Sequence, residues 1–312
     1  MSTDTPQHSV AYLGPRGSFA EAAVLAWPGS ADAELLPSTS VPAALEAVRG
    51  DAVDHALVPI ENSVEGAVNL TLDELTNGDP LVIVDEVAIP VQFALLAPAG
   101  VSLTDVHRIA THPHAQAQVA GWLRTNLPDA VVLPALSTAA AAAGLREEPR
   151  SYDASVSQAL CAEIYGLNVL ADAIADNEGA TTRFVLVSRP GSLPAPTGAD
   201  KTTLSLFMHH DQPGALLAIL NEFAVRGVNL TRIESRPTRK HLGDYYFSID
   251  VEGHIDDGRV AEALMGLHRI CLDVRFLGSY PRFDGQAPNL RPGVSDEDYV
   301  EAAEWLRRLK GM

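Results

Sequence analysis

The feature that most constrains the fold is a run of branched apolar residues, Val185-Leu186-Val187, which directly follows Ala180-Thr181-Thr182-Arg183-Phe184. Such a run is typical of a strand covered on both faces. The hydroxyl of Thr182 and the guanidinium of Arg183 therefore stand at the beginning of a buried strand, where a side chain is held more rigidly than on a free loop. Because its planar fork donates two parallel hydrogen bonds, Arg183 is a candidate carboxylate clamp; a strand-end ion pair is the alternative.

Strands alternate with helices along the first half of the chain, which predicts an α/β fold with largely parallel sheets. The predicted strands are Val10–Leu13, His55–Ile60 (ended by Pro59), Asp85–Ala97, Arg108–Ala110, Val131–Leu133 and Asn168–Leu170. The predicted helices are Ser18–Trp27, with Ser18 as its cap, Val41–Gly50, Gln116–Leu123, Ala139–Leu145, capped by Ser137 and Thr138, and Ser155–Tyr165. A crossing into a second lobe is expected at the turn Pro98–Gly100.

Polar residues stand at the ends of several of these strands. Ligands of α/β proteins gather outside the carboxyl ends of the strands, so these residues predict a binding site. The glycine turn Gly14-Pro15-Arg16-Gly17 before the first helix could also receive an anion, although its spacing fits no nucleotide loop and an ordinary turn is equally compatible. The strand-end residues are Asn62, Ser63, Thr111, Ser137, Thr138, Thr182 and Arg183.

Composition excludes several classes of function. The chain has 312 residues, of which 46% are hydrophobic, and a formal net charge of -18, with lysine only at positions 201, 240 and 310. Nucleic-acid binding needs clustered cations, so we expect no nucleic-acid partner. No apolar run is long enough to span a bilayer and the first residues lack the regions of a signal peptide, so we expect a cytoplasmic protein without a membrane partner. Cys161 and Cys271 have no metal-ligand spacing, which favours a reduced compartment.

The polar residues do not form a recognisable nucleophilic or metal centre. The chain has no nucleophile elbow and no cluster of histidines and carboxylates with metal spacing. His112 and His114 are expected to lie on different faces of a helix start, as solvated or capping side chains rather than metal ligands. We therefore predict a site that binds and orients a reactive anion, with no metal and no cofactor.

At these residues the chain resembles the prephenate dehydratase family, which makes phenylpyruvate in phenylalanine biosynthesis. The resemblance covers nearly all of Val10 to Val187 and departs from the family pattern at Ala180, His114 and Val119, where asparagine, glutamine and cysteine are usual. The matching segments, in order, are Gly14-Pro15-Arg16-Gly17-Ser18-Phe19, Val58-Pro59-Ile60-Glu61-Asn62-Ser63, Thr111-His112-Pro113 with Gln118, Ser137-Thr138-Ala139 and Thr182-Arg183-Phe184.

The resemblance implies a catalytic domain of two lobes, like type II periplasmic binding proteins, with the site in the cleft. It implies Thr182 and Arg183 as catalytic residues, Thr182 being the group at the leaving hydroxyl. The implied substrate-binding residues are Asn62, Ser63, Thr111, Gln118, Ser137, Thr138 and Phe184. Two alternatives stay open: an arogenate dehydratase, whose substrate carries an amine, and a non-catalytic amino-acid sensor.

The second half has a different pattern, in which strands and helices follow the β-α-β-β-α-β order of a ferredoxin-like unit. The predicted elements are Thr203–Met208, Pro213–Arg226, Asn229–Ser235, Tyr245–Val251, Asp256–His268 and Cys271–Gly278. Two segments resemble the phenylalanine-sensing motifs of the ACT domain, namely the turn Pro213-Gly214-Ala215-Leu216-Leu217 and the segment Glu234-Ser235-Arg236-Pro237. The resemblance therefore implies allosteric regulation by L-phenylalanine, bound by Gly214, Ala215, Leu216, Asn229, Leu230, Glu234 and Ser235.

The expected organisation has four parts. Residues 8–189 form the catalytic domain, 190–201 a linker rich in Pro, Gly and Ala, and 202–280 the ACT domain, while 281–312 form a loop and a final helix. Exposed sheet edges are normally paired, so we expect the ACT domains to associate and to make a homodimer or homotetramer. The final helix, Asp296–Lys310 with Ser295 as its cap, is either a packing or an interaction helix, and packing is the preferred interpretation.

Overall fold

The computed structural model describes residues 8–64, 66–209, 213–238 and 245–311. Its contacts divide the chain into two compact units. The first unit runs to Thr71 and resumes from Val87 to Val185; the second consists of Leu72–Glu86 and the chain from Leu186 onward. The second unit therefore includes a segment from the first third of the sequence.

The first half alternates strands and helices, as predicted, and it contains further elements that the sequence did not mark. In chain order they are β1 (His8–Leu13), α1 (Phe19–Ala26), β2 (Ala33–Ser38), α2 (Val41–Arg49), β3 (His55–Asn62), β4 (Gly66–Ala67), α3 (Asn69–Asn77), β5 (Val82–Pro90), β6 (Ala94–Ala97), β7 (Arg108–Thr111), α4 (Pro113–Gln118), α5 (Ala120–Asn126), β8 (Val131–Pro134), α6 (Thr138–Gly144), β9 (Ala154–Ser157), α7 (Leu160–Tyr165), β10 (Asn168–Ala171) and β11 (Thr181–Ser188).

These strands form two sheets, one for each lobe. The first sheet has the order β2-β1-β3-β11-β5, with β4 paired to β3, and the second has the order β10-β6-β9-β7-β8. Strand β1 is parallel to β2 and β3, and β7 is parallel to β8 and β9, whereas β6 is antiparallel to β9 and β10. The resemblance implied two lobes of α/β structure, and the two sheets confirm this part of the prediction.

The chain passes between the two sheets twice, once between β5 and β6 and once between β10 and β11. A hydrogen bond joins the two passages to each other: the amide of Val91 donates to the carbonyl of Ala180 at 2.7 Å. A second bond joins Ile174 N to Phe93 O at 2.9 Å. The crossing lies at residues 91–93, before β6, so the predicted position at Pro98–Gly100 was wrong; the apolar run Ala94–Ala97 already belongs to the second sheet.

Strand β11 is buried along its length apart from its two end residues. Its branched side chains are therefore covered on both faces, as the sequence predicted.

Two predicted element boundaries were wrong. Residues 155–165 are not one helix, because Ala154–Ser157 form strand β9 and only Leu160–Tyr165 are helical. Pro59 does not end β3, which continues to Asn62.

The second unit contains the third sheet, and its βαββαβ order confirms the prediction of a ferredoxin-like unit. The strand order is β13-β14-β12-β15, with antiparallel neighbours. One face packs on α8 and α9 through side chains such as Leu204, Ile219 and Phe223. The elements are β12 (Asp200–Phe207), α8 (Ala215–Ala224), β13 (Leu230–Pro237), β14 (Tyr245–Glu252), α9 (Gly258–Ile270), β15 (Asp273–Pro281) and α10 (Asp296–Leu309).

The other face of the third sheet is polar and contacts the segment Leu72–Glu86. Because side chains alternate along a strand, the residues between the apolar core positions of β12 point to this face. Ser205 is one of them, and its hydroxyl lies 2.8 Å from that of Thr76. Lys201 extends its ammonium group to both carboxylate oxygens of Glu86, at 2.9 Å each. Both side chains of this ion pair are almost fully buried.

Asp73 and Gly278 make further contacts of the same segment with the third sheet. The Asp73 carboxylate accepts hydrogen bonds from Arg236, at 3.2 Å, and from the hydroxyl of Tyr246, at 3.0 Å. Gly278 has a φ of +139°, and a Cβ there would lie 2.2 Å from the carbonyl oxygen of Ile83. Only glycine fits this position, since the backbones of β5 and β15 meet there.

Helix α10 begins as predicted but does not pack as predicted. Ser295 caps it through a reciprocal bond with Asp298, and the Asp296 carboxylate accepts from the amide of Gly258 at 2.8 Å. No residue of this helix is buried, and Trp305 and Leu309 are more than half exposed. The preferred interpretation as a packing helix therefore holds only for its first turn.

Candidate active site

A cavity of about 320 Å³ opens in the first unit and is lined by both sheets and their helices. Six of the predicted site residues contribute to its wall: Asn62, Gln118, Ser137, Thr138, Thr182 and Phe184. The rest of the lining is mostly apolar. It consists of Leu13, Gly14, Ser18, Phe19, Ala20, Pro59, Val91, Phe93, His112, His114, Ala115, Leu136 and Ala139.

Thr182 is oriented by Asn62 on the neighbouring strand. The amide nitrogen Nδ2 of Asn62 donates to Oγ1 of Thr182 at 2.8 Å, while Oδ1 of Asn62 accepts from the backbone N–H of Val64 at 2.8 Å. A backbone N–H can only donate, so the Val64 bond fixes which end of the amide faces Thr182. The hydroxyl oxygen of Thr182 is thus an acceptor toward Asn62, and its own proton is available to donate in another direction.

Arg183 is not part of the cavity wall. Successive side chains of a strand point to opposite faces, so β11 presents Thr182 and Phe184 to the cavity and Arg183 to the other side. Its Nε donates to the carboxylate of Glu61 at 3.1 Å, and the arginine side chain is only 7% exposed. The strand-end ion pair that the sequence allowed is therefore present, and the guanidinium does not contribute to the cavity in this structure.

Ser63 and Thr111 are close to the site in sequence but make structural hydrogen bonds. Ser63 pairs with Thr181 twice, through its amide and through its hydroxyl, at 2.9 Å each. Thr111 is buried, and its hydroxyl donates to the carbonyl of Val156 at 2.8 Å. Ser137 caps α6 by accepting from Ala140 N at 3.0 Å, as the sequence predicted, and it also lines the cavity.

The glycine turn before α1 is occupied by the protein's own side chains. The amide of Gly17 donates to the buried carboxylate of Glu21, which also accepts from the hydroxyl of Tyr12 at 3.1 Å. Burial and the adjacent Glu21 raise the pKa of Tyr12 above its usual range, so this hydroxyl stays protonated. The Gly17 amide is therefore committed to Glu21.

Three residues of the β9–α7 region hold the same turn and were missed by the sequence analysis. Gln158 donates to the carbonyl of Gly17 at 2.6 Å, Cys161 donates to the same carbonyl at 3.2 Å, and Tyr165 donates to that of Arg16 at 2.8 Å. Gly17 has a φ of +82°, and a Cβ there would lie 2.8 Å from the Cys161 sulfur. These contacts fix one wall of the cavity, and no local sequence signal reveals them.

His112 and His114 both line the cavity, so the expectation that they lie on different faces was wrong. The reason is that His112 is the N-cap of α4 rather than a helical residue; its Nδ1 accepts from the amide of His114 at 3.3 Å. The two rings lie 5.0 Å apart, edge to face. Among the described residues, no group of three or more potential ligands is placed to hold a metal ion.

A second cavity, of about 360 Å³, lies in the second unit at the start of α8. Gly214, Ala215 and Leu216, three of the seven predicted phenylalanine-binding residues, line it together with Met208 and Phe247. Asn229, Leu230, Glu234 and Ser235 do not. The last three belong to β13, which forms an edge of the third sheet, and Asn229 directly precedes that strand. The structure therefore separates the predicted set into a cavity group and an edge group.

Two family models match this chain. A prephenate dehydratase family model matches residues 10–192, and an ACT domain model matches residues 202–269. Prephenate dehydratase of Amycolatopsis methanolica is 46% identical over 302 residues, which cover 96% of this chain and 97% of that protein. Within the range that the structure describes, no helix is both long and apolar enough to cross a membrane.

Two solved structures are among those that resemble most of the chain. A prephenate dehydratase from Arthrobacter aurescens, in complex with L-Phe, is 51% identical with a TM-score of 0.92, and the match covers 97% of this chain and all of that one. GqqA, described as a novel type of quorum quenching acylase, is 34% identical with a TM-score of 0.77, over 88% of this chain and 97% of that one.

Proposed function

The chain belongs to the prephenate dehydratase family, and on that premise we propose that it converts prephenate to phenylpyruvate with loss of water and carbon dioxide. The observation that supports this activity most is the cavity in which the hydroxyl of Thr182, aligned by Asn62, meets an otherwise mostly apolar wall. One relative with this fold is described as an acylase, so fold alone does not decide the activity.

The chemistry requires little apparatus from the protein. Prephenate carries two carboxylates and a ring hydroxyl, and its ring becomes aromatic when water leaves from one position and CO₂ from the other. The enzyme has to hold the ring so that the carboxylate is aligned for departure and to assist the leaving hydroxyl. An apolar wall with Phe93 and Phe184 suits the ring, and the hydroxyl of Thr182 suits the leaving group.

Thr182 acts by hydrogen bonding to the leaving hydroxyl. Because Asn62 donates to its oxygen, the proton of Thr182 is directed away from Asn62, and the leaving oxygen is the acceptor it meets. Asn62, Gln118, Ser137 and Thr138 provide further polar contacts for the substrate. Arg183 acts indirectly, as a positioning residue, because its bond to Glu61 holds β11 beside β3 next to the Asn62–Thr182 pair.

The lining favours the keto acid prephenate over arogenate. Arogenate carries an ammonium group, which a buried site would pair with a carboxylate. None of the described lining residues is Asp or Glu. We therefore expect a higher kcat/KM for prephenate than for arogenate.

The test is incubation of the full chain with prephenate, followed by the absorbance of phenylpyruvate. A parallel incubation contains arogenate. Formation of phenylpyruvate by the purified chain, absent with Thr182→Ala, supports the proposal. No turnover of prephenate contradicts it.

For regulation, we propose that residues 202–280 form an ACT domain that binds L-phenylalanine and inhibits the catalytic domain, residues 8–189, across the linker 190–201. The match to an ACT domain model and the phenylalanine bound to the Arthrobacter aurescens relative support this. The exposed edge strand β13 suits pairing between subunits, so the protein is proposed to be a homodimer or homotetramer, and a cytoplasmic one. Sedimentation tests the oligomeric state.

Inhibition requires that phenylalanine bind one state of the protein more tightly than another. The coupling free energy between phenylalanine binding and substrate binding is then about 1 to 3 kcal/mol, which corresponds to a fixed factor in affinity. By linkage, a substrate analogue must weaken phenylalanine binding by the same factor. Calorimetry of phenylalanine binding to the full chain, with and without the analogue, measures this factor. Phenylalanine binding with no mutual effect would contradict the proposed regulation.

A further inference from the structure

His112 and His114 are the only described side chains of the active-site cavity that can carry a charge. The other lining residues are apolar, or carry neutral hydroxyl and amide groups. The proposed substrate is a dianion, whereas the chain has a net charge of -18, so its overall field repels such a ligand. Arg183 donates to Glu61 and does not line the cavity, so the two imidazoles are the described lining groups that can offer a positive charge to the dianion.

The arrangement of the two imidazoles gives them different roles. Nδ1 of His112 accepts from the backbone amide of His114, so a neutral His112 carries its proton on Nε2 and donates there. His114 is an exposed residue, its ring 5.0 Å from that of His112 at an angle of 77°. Protonation of His114 leaves the cap of α4 intact, whereas protonation of His112 at Nδ1 would remove that bond.

Three carboxylates on elements that line the cavity, or bonded to such elements, accept from other groups of the protein. Glu61 pairs with Arg183, Glu21 accepts from Arg16 and from the amide of Gly17, and Asp176 caps α5 by accepting from Gly121 at 2.7 Å. None of these groups lines the cavity.

We propose that His114 is a substrate-binding residue whose protonated imidazole pairs with one carboxylate of the substrate, while His112 donates from Nε2 beside it. This inference rests on the proposed function. It predicts that a neutral side chain at position 114 weakens the affinity for the dianion, whereas a cationic side chain there retains it.

The experiment compares the steady-state kinetics of the wild-type chain and two variants with prephenate at a single pH, about pH 6. His114→Gln, a neutral donor, is expected to raise KM by about tenfold, the loss of one charge-assisted contact, with kcat within about twofold. His114→Lys, which keeps a cation at this position, is expected to have a KM close to that of the wild type.

The matched control is His107→Gln, which alters an exposed histidine outside the cavity and is expected to behave as the wild type. A His114→Gln variant with the wild-type KM would overturn the inference, and so would a His114→Lys variant with a KM as high as that of His114→Gln. Absence of prephenate turnover by the wild-type chain would instead refute the proposed function, together with the inference that rests on it.

Discussion

Asn62 donates a hydrogen bond of 2.8 Å to the hydroxyl oxygen of Thr182, across two neighbouring strands of the first sheet. These residues are 120 positions apart in the sequence, and Asn62 is itself fixed by the amide of Val64. The bond determines the direction in which Thr182 can donate. The proposed chemistry depends on that direction.

Replacement of Asn62 tests this dependence. Asn62→Asp puts an acceptor where the donor was, so the Thr182 proton turns toward the new carboxylate and away from the substrate. We expect kcat to fall by about 100-fold, the lower end of what assistance of a leaving group contributes. Asn62→Ala, which removes the donor but adds no competing acceptor, is expected to lose less. Equal losses of kcat in the two variants would show that the orientation of the Thr182 hydroxyl does not determine the rate.

The ion pair of Arg183 with Glu61 is expected to stabilise the fold rather than to bind substrate. A double-mutant cycle with Arg183→Met and Glu61→Gln should give a coupling of about 1 kcal/mol in the free energy of unfolding, since Glu61 is 39% exposed and screened by solvent. KM for prephenate should stay within about threefold, or about 0.7 kcal/mol. A much larger KM in Arg183→Met with no coupling would restore the carboxylate-clamp interpretation.

The buried pair of Lys201 with Glu86 should have a larger effect on stability. Lys201→Met leaves the Glu86 carboxylate buried without its cation, which is expected to cost about 3 to 5 kcal/mol in urea unfolding. Glu86 also accepts from the amide of Phe283 at 3.1 Å. The double variant Lys201→Met/Glu86→Gln keeps that acceptor and removes the charge, so most of the loss should be recovered. A single variant as stable as the wild type would contradict the described burial.

The two buried thiols predict a loss of stability at alkaline pH. Burial raises the pKa of Cys161 to about 12 and that of Cys271 to about 11, from 9.0 for an ordinary thiol. Above pH 9 the unfolded state therefore releases protons that the folded state retains, so the free energy of unfolding falls as the pH rises toward 11, by up to about 1.4 kcal/mol per pH unit and thiol. Urea unfolding of the wild type and of Cys161→Ala/Cys271→Ala at pH 8 to 10 measures the difference in slope. Parallel pH profiles would contradict it.

The sequence was sufficient for the features that depend on local patterns. The cap residues Ser18 and Ser137, the buried run Val185–Val187 and the βαββαβ order all follow from spacing and residue type, and the structure has them where they were predicted. Strand β9 was missed because Ala154–Ser157 is short and half serine, and the Ser157 hydroxyl is satisfied by the carbonyl of Thr138, far away in the sequence.

Features that depend on distant partners could not be predicted in this way. The alternation of β11 does separate Thr182 from Arg183, but only the position of Glu61 shows that the guanidinium has a partner outside the cavity. The packing of Leu72–Glu86 on the third sheet depends on contacts such as that of Asp73 with Tyr246, 173 positions apart. No local pattern marks Asp73 for that role.

The most direct test of the account is the rate of phenylpyruvate formation from prephenate by Thr182→Ala and Thr182→Ser, relative to the wild-type chain. Thr182→Ala removes the hydroxyl, so kcat is expected to fall by about 100- to 10,000-fold, with circular dichroism and urea unfolding close to those of the wild type. Thr182→Ser keeps the hydroxyl and the bond from Asn62, and should retain most of the activity. Near-normal turnover by a folded Thr182→Ala variant would contradict the central claim that Thr182 acts on the leaving hydroxyl.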